Sequence, residues 1–202
     1  MARACPAGAA PWDDAGVAAA VHVWVGEDGP RSEAATVDVD RGSGVLRAAV
    51  TVAWFGPEPW RLDYEVSTHA GYATAGVSLV VTRPGALRRL ALVGDGAGAW
   101  EVDGRPAPAL DGALDVDVGL SVVANALPVL RCGLLAPEAQ VVDLGVARVA
   151  VPDLTVERDE QRYEPLGGGR VRFRSGGFSA ELTVDADGLV RRYPDLAVRV
   201  GR

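Results

Sequence analysis

The sequence predicts a mainly β protein built on one antiparallel, mostly meandering sheet of about ten strands. Three observations predict it. Apolar residues recur with a period of two along most of the chain, short Gly- and Pro-rich turns separate the runs, and one face of each run is apolar while the other is polar. A sheet with one apolar face must curl around something or close on itself to bury that face.

The runs follow in order. Val17 to Val25 and Ala34 to Val39 alternate first. From Leu46 to Trp54 the even positions hold Leu46, Ala48, Val50, Val52 and Trp54, a half-buried strand. Trp60, Leu62, Tyr64 and Val66 then share one face, with Arg61, Asp63, Glu65 and Ser67 on the other and Gly56-Pro57-Glu58-Pro59 as the preceding turn. Further runs cover Val77 to Arg83, Leu87 to Val93, Val141 to Val151, Arg170 to Arg174, Phe178 to Val184 and Leu189 to Tyr193. Arg83-Pro84-Gly85, Gly167-Gly168-Gly169 and the hairpin dipeptide Asp187-Gly188 punctuate them. Only Leu110 to Gln140 breaks the rhythm. Within it Val122, Ala126, Val129 and Leu130 have helix-like spacing, Pro128 is expected to prevent one uninterrupted helix, and a short apolar helix there would plug the open side of the sheet.

Composition narrows the function classes. The 202 residues are 49% hydrophobic and carry a net charge of −7, enough to bury one sizeable core in a single domain spanning 1–202, with 1–14 as a frayed N-terminus. All 20 basic residues are Arg, and Asn125 is the sole Asn. An acidic chain has no general attraction for nucleic acid phosphates. No apolar stretch is long enough to cross a bilayer as a helix, so no transmembrane segment is expected. The first residues lack the continuous hydrophobic run of a secretion signal, which places the protein in the cytoplasm. Cys5 and Cys132 are too few for a disulfide framework, and reduced thiols are expected.

Chemistry-bearing motifs are sparse. Gly94-Asp95-Gly96-Ala97-Gly98 resembles a phosphate loop, but Ala99 to Gly104 reads as another short strand and turn, so a hairpin accounts for it better. Ser121 follows Gly119 without the second Gly of a nucleophile elbow, and His22 and His69 read as ordinary strand residues. A metal site has the same shortage of ligands, and neither a metal nor a cofactor is expected. Asp111, Asp115 and Asp117 offer three carboxylates, two of them on one face if the piece is extended; turn formation is the commoner use of such residues, acid/base catalysis the other. Trp54 and Trp60 flank one turn and would stand near the mouth of any cavity; the five Trp read as core or rim residues.

One run of residues resembles a known family. Gly94-Asp95-Gly96, Gly98, Trp100, Asp103-Gly104, Leu110-Asp111-Gly112, Asp115-Val116-Asp117, Ser121, Asn125, Leu127-Pro128 and Arg131 begin it. Gln161-Arg162-Tyr163, Asp185, Gly188-Leu189-Val190 and Tyr193-Pro194 continue it. Together they resemble the bacterial putative glycolipid-binding family over about residues 88 to 200, while the first 85 residues match only in strand rhythm. The family is similar in fold to periplasmic lipoprotein carriers and outer-membrane receptors. The resemblance therefore implies a strongly curled, incompletely closed antiparallel β-barrel with a helical segment near 121–136 against the concave side. The chain departs from the family pattern at Ala113, Val122, Ala124 and Leu130, where Cys, Pro, Thr and Arg are usual.

The resulting expectation is non-enzymatic binding of a lipid or other amphipathic small molecule in the half-open barrel. Val50, Val52, Trp54, Leu62, Tyr64 and Leu79 would supply apolar surface, and each methylene buried there contributes about 0.8 kcal/mol. Asn125, Arg131, Gln161 and Tyr163 would orient the polar end, with Leu127 and Tyr64 beside them; the alternative role of Asn125 and Gln161 is to satisfy buried backbone. Two other readings are an enzyme using Asp115 and Asp117 with Arg131 or a histidine, and an oligomeric module, a homodimer in the simplest case, pairing through an open sheet edge.

Overall fold

The computed structural model describes residues 19–27 and 29–201; Cys5, Trp12 and the expected frayed segment 1–14 fall outside them. Among the described residues the chain forms fifteen strands in one sheet. The first eight are β1 (Ala20–Gly26), β2 (Arg31–Asp40), β3 (Val45–Trp54), β4 (Trp60–Thr68), β5 (Thr74–Arg83), β6 (Ala86–Gly94), β7 (Trp100–Val102) and β8 (Arg105–Pro106). The rest are β9 (Asp115–Val118), β10 (Val142–Ala150), β11 (Thr155–Gly167), β12 (Arg170–Ser175), β13 (Phe178–Val184), β14 (Val190–Tyr193) and β15 (Ala197–Val200). Within the described residues each alternating run falls on a strand, to within a residue or two at its ends, and the expectation of a curled, mainly antiparallel sheet holds.

The count was too low for physical reasons. β11 carries Glu157, Arg158, Asp159, Glu160, Gln161 and Arg162 in succession, so no apolar alternation marks it, yet it is the longest strand at 13 residues. β15 is only 4 residues, and β9 lies in the stretch that broke the rhythm.

The sheet order is β8-β7-β6-β5-β4-β3-β2-β1-β15-β14-β13-β12-β11-β10-β9. The first and last strands therefore pair in the middle, with Val23 opposite Val200, and the two edges are the consecutive strands β8 and β9. Curling brings the β9 edge back against β5 without a closing ladder. The seam is stitched at one end by Thr74, whose N–H donates to the Leu114 carbonyl at 2.8 Å and whose Oγ1 accepts from the Val116 N–H at 3.0 Å. At the other end Arg83 and Arg88 bond Asp153 at 3.0 and 3.1 Å. β9 pairs in parallel with β10 and is buried on both faces: Val116 and Val118 join the apolar core, while Asp115 and Asp117 point the other way.

The segment after β9 packs inside the sheet. A single 3-10 turn (Val123–Asn125) runs into a six-residue helix, α1 (Ala126–Arg131). Pro128 does not break it, because it falls in the first turn of α1, where no backbone N–H is required. Val122, Ala126, Leu127 and Val129 are buried in one cluster with Val50, Val52, Leu62, Tyr64 and Leu79. The apolar strand faces expected to line a cavity are thus covered by this plug. Two depressions of about 320 and 330 Å³ lie instead among outward-pointing side chains of the sheet, one beside Asp143, Arg162 and Arg174 and the other beside Thr51, Asp63 and Glu65.

Candidate functional site

Strand alternation decides which polar groups enter the concave side. In β2 the inward positions are Arg31, Glu33, Ala35 and Val37, so two charged residues share the face of the core. Glu33 is fully buried and meets the start of the plug. Its carboxylate accepts from Ser121 Oγ at 2.6 Å and from the N–H groups of Val122 and Val123 at 3.0 and 3.4 Å, and is paired with Arg31 at 2.5 Å. Tyr64 OH bonds Ser121 Oγ at 2.6 Å. Burial, with the charge of Glu33 adding to it, raises the Tyr64 phenol well above its usual value, so it stays a donor. The group capping the plug is therefore an acid from a distant strand, an assignment the sequence reading did not make. Its signal was the inward phase of Arg31 and Glu33 in β2.

The far end of the plug is held by an ion pair. Arg131 donates to Asp115 through Nε at 3.0 Å and Nη2 at 2.6 Å, a two-pronged contact. Burial raises the Asp115 carboxyl, and the Arg131 hydrogen bond and charge offset part of the rise.

Between these anchors lies a connected polar cluster. Asn125 Nδ2 donates to Tyr163 OH at 3.2 Å, and Tyr163 OH donates to Gln161 Oε1 at 3.2 Å. Gln161 Nε2 donates to Asp117 at 2.8 Å and to Asp159 at 3.3 Å, and Ser175 Oγ donates to Asp159 at 2.7 Å. Asn125, Gln161 and Tyr163 are buried; Asp117, Asp159 and Ser175 are partly open. Burial raises the Asp117 carboxyl above the ordinary range, with the Gln161 amide and Arg148 pulling it back and Asp159 adding to the rise. Burial, then the charge of Asp117, raises Tyr163 well above its usual value.

The structure brings together Asn125, Gln161 and Tyr163, and sets Asp117 beside them; Asp115 and Asp117 share one side of an extended β9, as spacing implied. Leu127 is a fully buried core residue, and Tyr64 serves the cap. Trp54 stands apart, stacked on Trp60 with ring centroids 6.4 Å apart at the β3–β4 turn. Asp159 was missed because the charge-rich β11 gave no strand signal, and Ser175 because it ends β12, one residue past the alternating run Arg170 to Arg174 and against the Gly176-Gly177 turn.

Other chemistry finds little support in geometry. Ser121 is engaged by Glu33 and Tyr64, while His69 Nε2 bonds the Gly94 carbonyl at 2.8 Å and His22 packs on Trp24 with centroids 5.8 Å apart. Gly94 to Ala99 forms a hairpin whose Asp95 carboxylate accepts from the Ala97 and Ala99 N–H groups. Among the described residues, no three His, Cys, Asp or Glu gather as metal ligands, and no helix is long and apolar enough to cross a membrane.

Comparison with known proteins gives a consistent picture. No curated protein matches the chain. The crystal structure of a DUF1089 family protein from Pseudomonas aeruginosa is similar, with a TM-score of 0.67 and 27% sequence identity, covering 98% of this chain and 100% of that one. Residues 21–199 match the model of the family described as Putative glycolipid-binding, and a match over that span shows that the chain belongs to this family.

Proposed function

We propose that the protein binds a glycolipid or similar sugar-bearing amphiphile without chemical conversion, holding the polar end at the Asp117–Gln161–Asp159–Ser175 cluster. One observation carries this reading: beside the apolar core runs a continuous chain of amide, hydroxyl and carboxylate groups that begins at the buried Asn125 and, unlike the enclosed Glu33 and Asp115 anchors, ends at the partly open Asp159 and Ser175. Such convergent polar groups beside apolar surface orient amphipathic ligands. The family description supports the lipid class. Within this reading Asn125, Tyr163 and Gln161 position Asp159, and the partly open Asp159 and Ser175 meet the ligand.

Native mass spectrometry of the purified protein should detect a copurified amphiphile. Gln161→Ala should weaken its retention about tenfold, the equivalent of 1.4 kcal/mol, while the circular dichroism spectrum is preserved. A protein that carries no amphiphile and takes up none from a total lipid extract overturns the reading. The raised Asp117 carboxyl favours a second reading, general acid catalysis at the same cluster. It requires a turnover that Asp117→Asn abolishes in a folded protein.

A further inference from the structure

Phe178 opens β13 on the same side as Ala180, Leu182 and Val184, which are buried, yet Phe178 itself is 47% exposed. Strand register places it in one row with the polar cluster: Leu144 opposite Gln161, Gln161 opposite Ser175, and Ser175 opposite Phe178. The ring is supported from behind by Phe173 and Tyr193, each with its centroid 6.2 Å away. Gly176 and Gly177, which make the turn between Ser175 and Phe178, have open space where side chains would stand. The ring thus shares the inward side of β13, touches two other rings and keeps an open side.

We propose that Phe178 is the stacking platform for a neutral pyranose ring, the head group of the amphiphile, with Asp159 and Ser175 taking its hydroxyls and Gln161 holding Asp159 in place. This assignment rests on the amphiphile-binding reading above. A pyranose has an apolar C–H face and a rim of hydroxyl donors, matching a π-face, which carries partial negative charge, beside acceptors. Asp117 and Asp159 both bond Gln161, so two carboxylates border the site. Like charges would repel a phosphate or carboxylate head group, which selects a neutral one.

Saturation-transfer NMR with octyl β-D-glucopyranoside and octyl β-D-galactopyranoside, each below its micelle concentration, tests the assignment. Wild type should transfer saturation to sugar-ring protons. Phe178→Ala should lose that transfer and bind about tenfold more weakly, and Phe178→Trp should restore both. Phe178 is half exposed, so both variants should keep the wild-type circular dichroism spectrum. Transfer confined to the octyl chain, or Phe178→Ala binding as wild type does, overturns the platform and leaves amphiphile binding standing. Failure of wild type to bind either glycoside, with no copurified amphiphile, overturns both.

Discussion

At the scale of single residues, the interior is organised by a few acids whose partners come from far along the chain. Asp115 is buried, and among the described residues its charge is matched by the two-pronged contact from Arg131. Arg131→Ala should therefore act on stability first: an uncompensated buried carboxylate costs about 3–5 kcal/mol. Urea denaturation should show a loss of that size, and a variant as stable as wild type would refute the pairing. Asp117 differs because burial raises its carboxyl in the fold relative to the unfolded chain. Above that raised value the folded state carries a penalty. As pH falls through it toward the ordinary carboxylate value, the folded state takes up the proton first and the penalty disappears; below the ordinary value both states are protonated. Wild type should therefore gain stability relative to Asp117→Asn across this acidic window. A pH-independent difference between the two unfolding curves would contradict the burial effect. Of these acids, Asp115 and Asp117 were visible in sequence as a carboxylate pair on one face. Glu33 and Asp159 were not, because a charged residue within a strand looks solvent-facing until its neighbours reveal which phase points inward.

At the scale of elements, the plug is a short helical piece anchored by side chains from distant strands. Its helix has six residues, too short to be stable by itself, so tertiary contacts must hold it. Glu33 bonds its first N–H groups, Arg131 ties its end to β9, and Asn125 ties its middle to β11. Glu33→Ala leaves Arg31 buried without its carboxylate and the Val122 and Val123 N–H groups without an acceptor. The expected cost is about 3–5 kcal/mol, with amide hydrogen exchange at Val122 and Val123 faster than in the flanking strands. Unchanged protection at those two amides would show that the cap does not hold the plug. The helix-like spacing of Val122, Ala126 and Val129 marked this element in the sequence. What holds it was hidden, since the contacts run from Glu33 to Val122 and from Asn125 to Tyr163, across separations no local pattern encodes.

At the scale of the whole molecule, continuity of the sheet depends on pairing its first and last described strands. β1 is hydrogen-bonded to β15, and Trp24 on β1 donates its indole N–H to the Val190 carbonyl at 2.7 Å. Truncation after Tyr193 removes β15, including the fully buried Ala197, and separates the β1–β8 half of the sheet from the β9–β14 half. The truncated chain should lose cooperative thermal unfolding and expose its apolar face, read as dye binding; a cooperative transition near the wild-type temperature would show that the plug and the seam contacts join the halves without β15. The outer edges are blunted. β8 has two residues and ends in Pro106, which has no N–H to donate, and β9 is buried on both faces.

By itself the sequence determined the fold class, the positions of most strands, the location of the plug and the membership of Asn125, Gln161 and Tyr163 in one family-like pattern. Each of these is local or periodic: side chains alternate across a strand wherever one face is buried, and turns require Gly, Pro or Asp at fixed places. Only the tertiary structure decided that β1 meets β15, that Glu33 caps the plug, that Asp115 meets Arg131 and Asp117 meets Gln161, and that Phe178 joins the row of Gln161 and Ser175. Those outcomes depend on which strands become neighbours as the sheet curls, and register across strands is set by burial of whole faces rather than by any single run of residues.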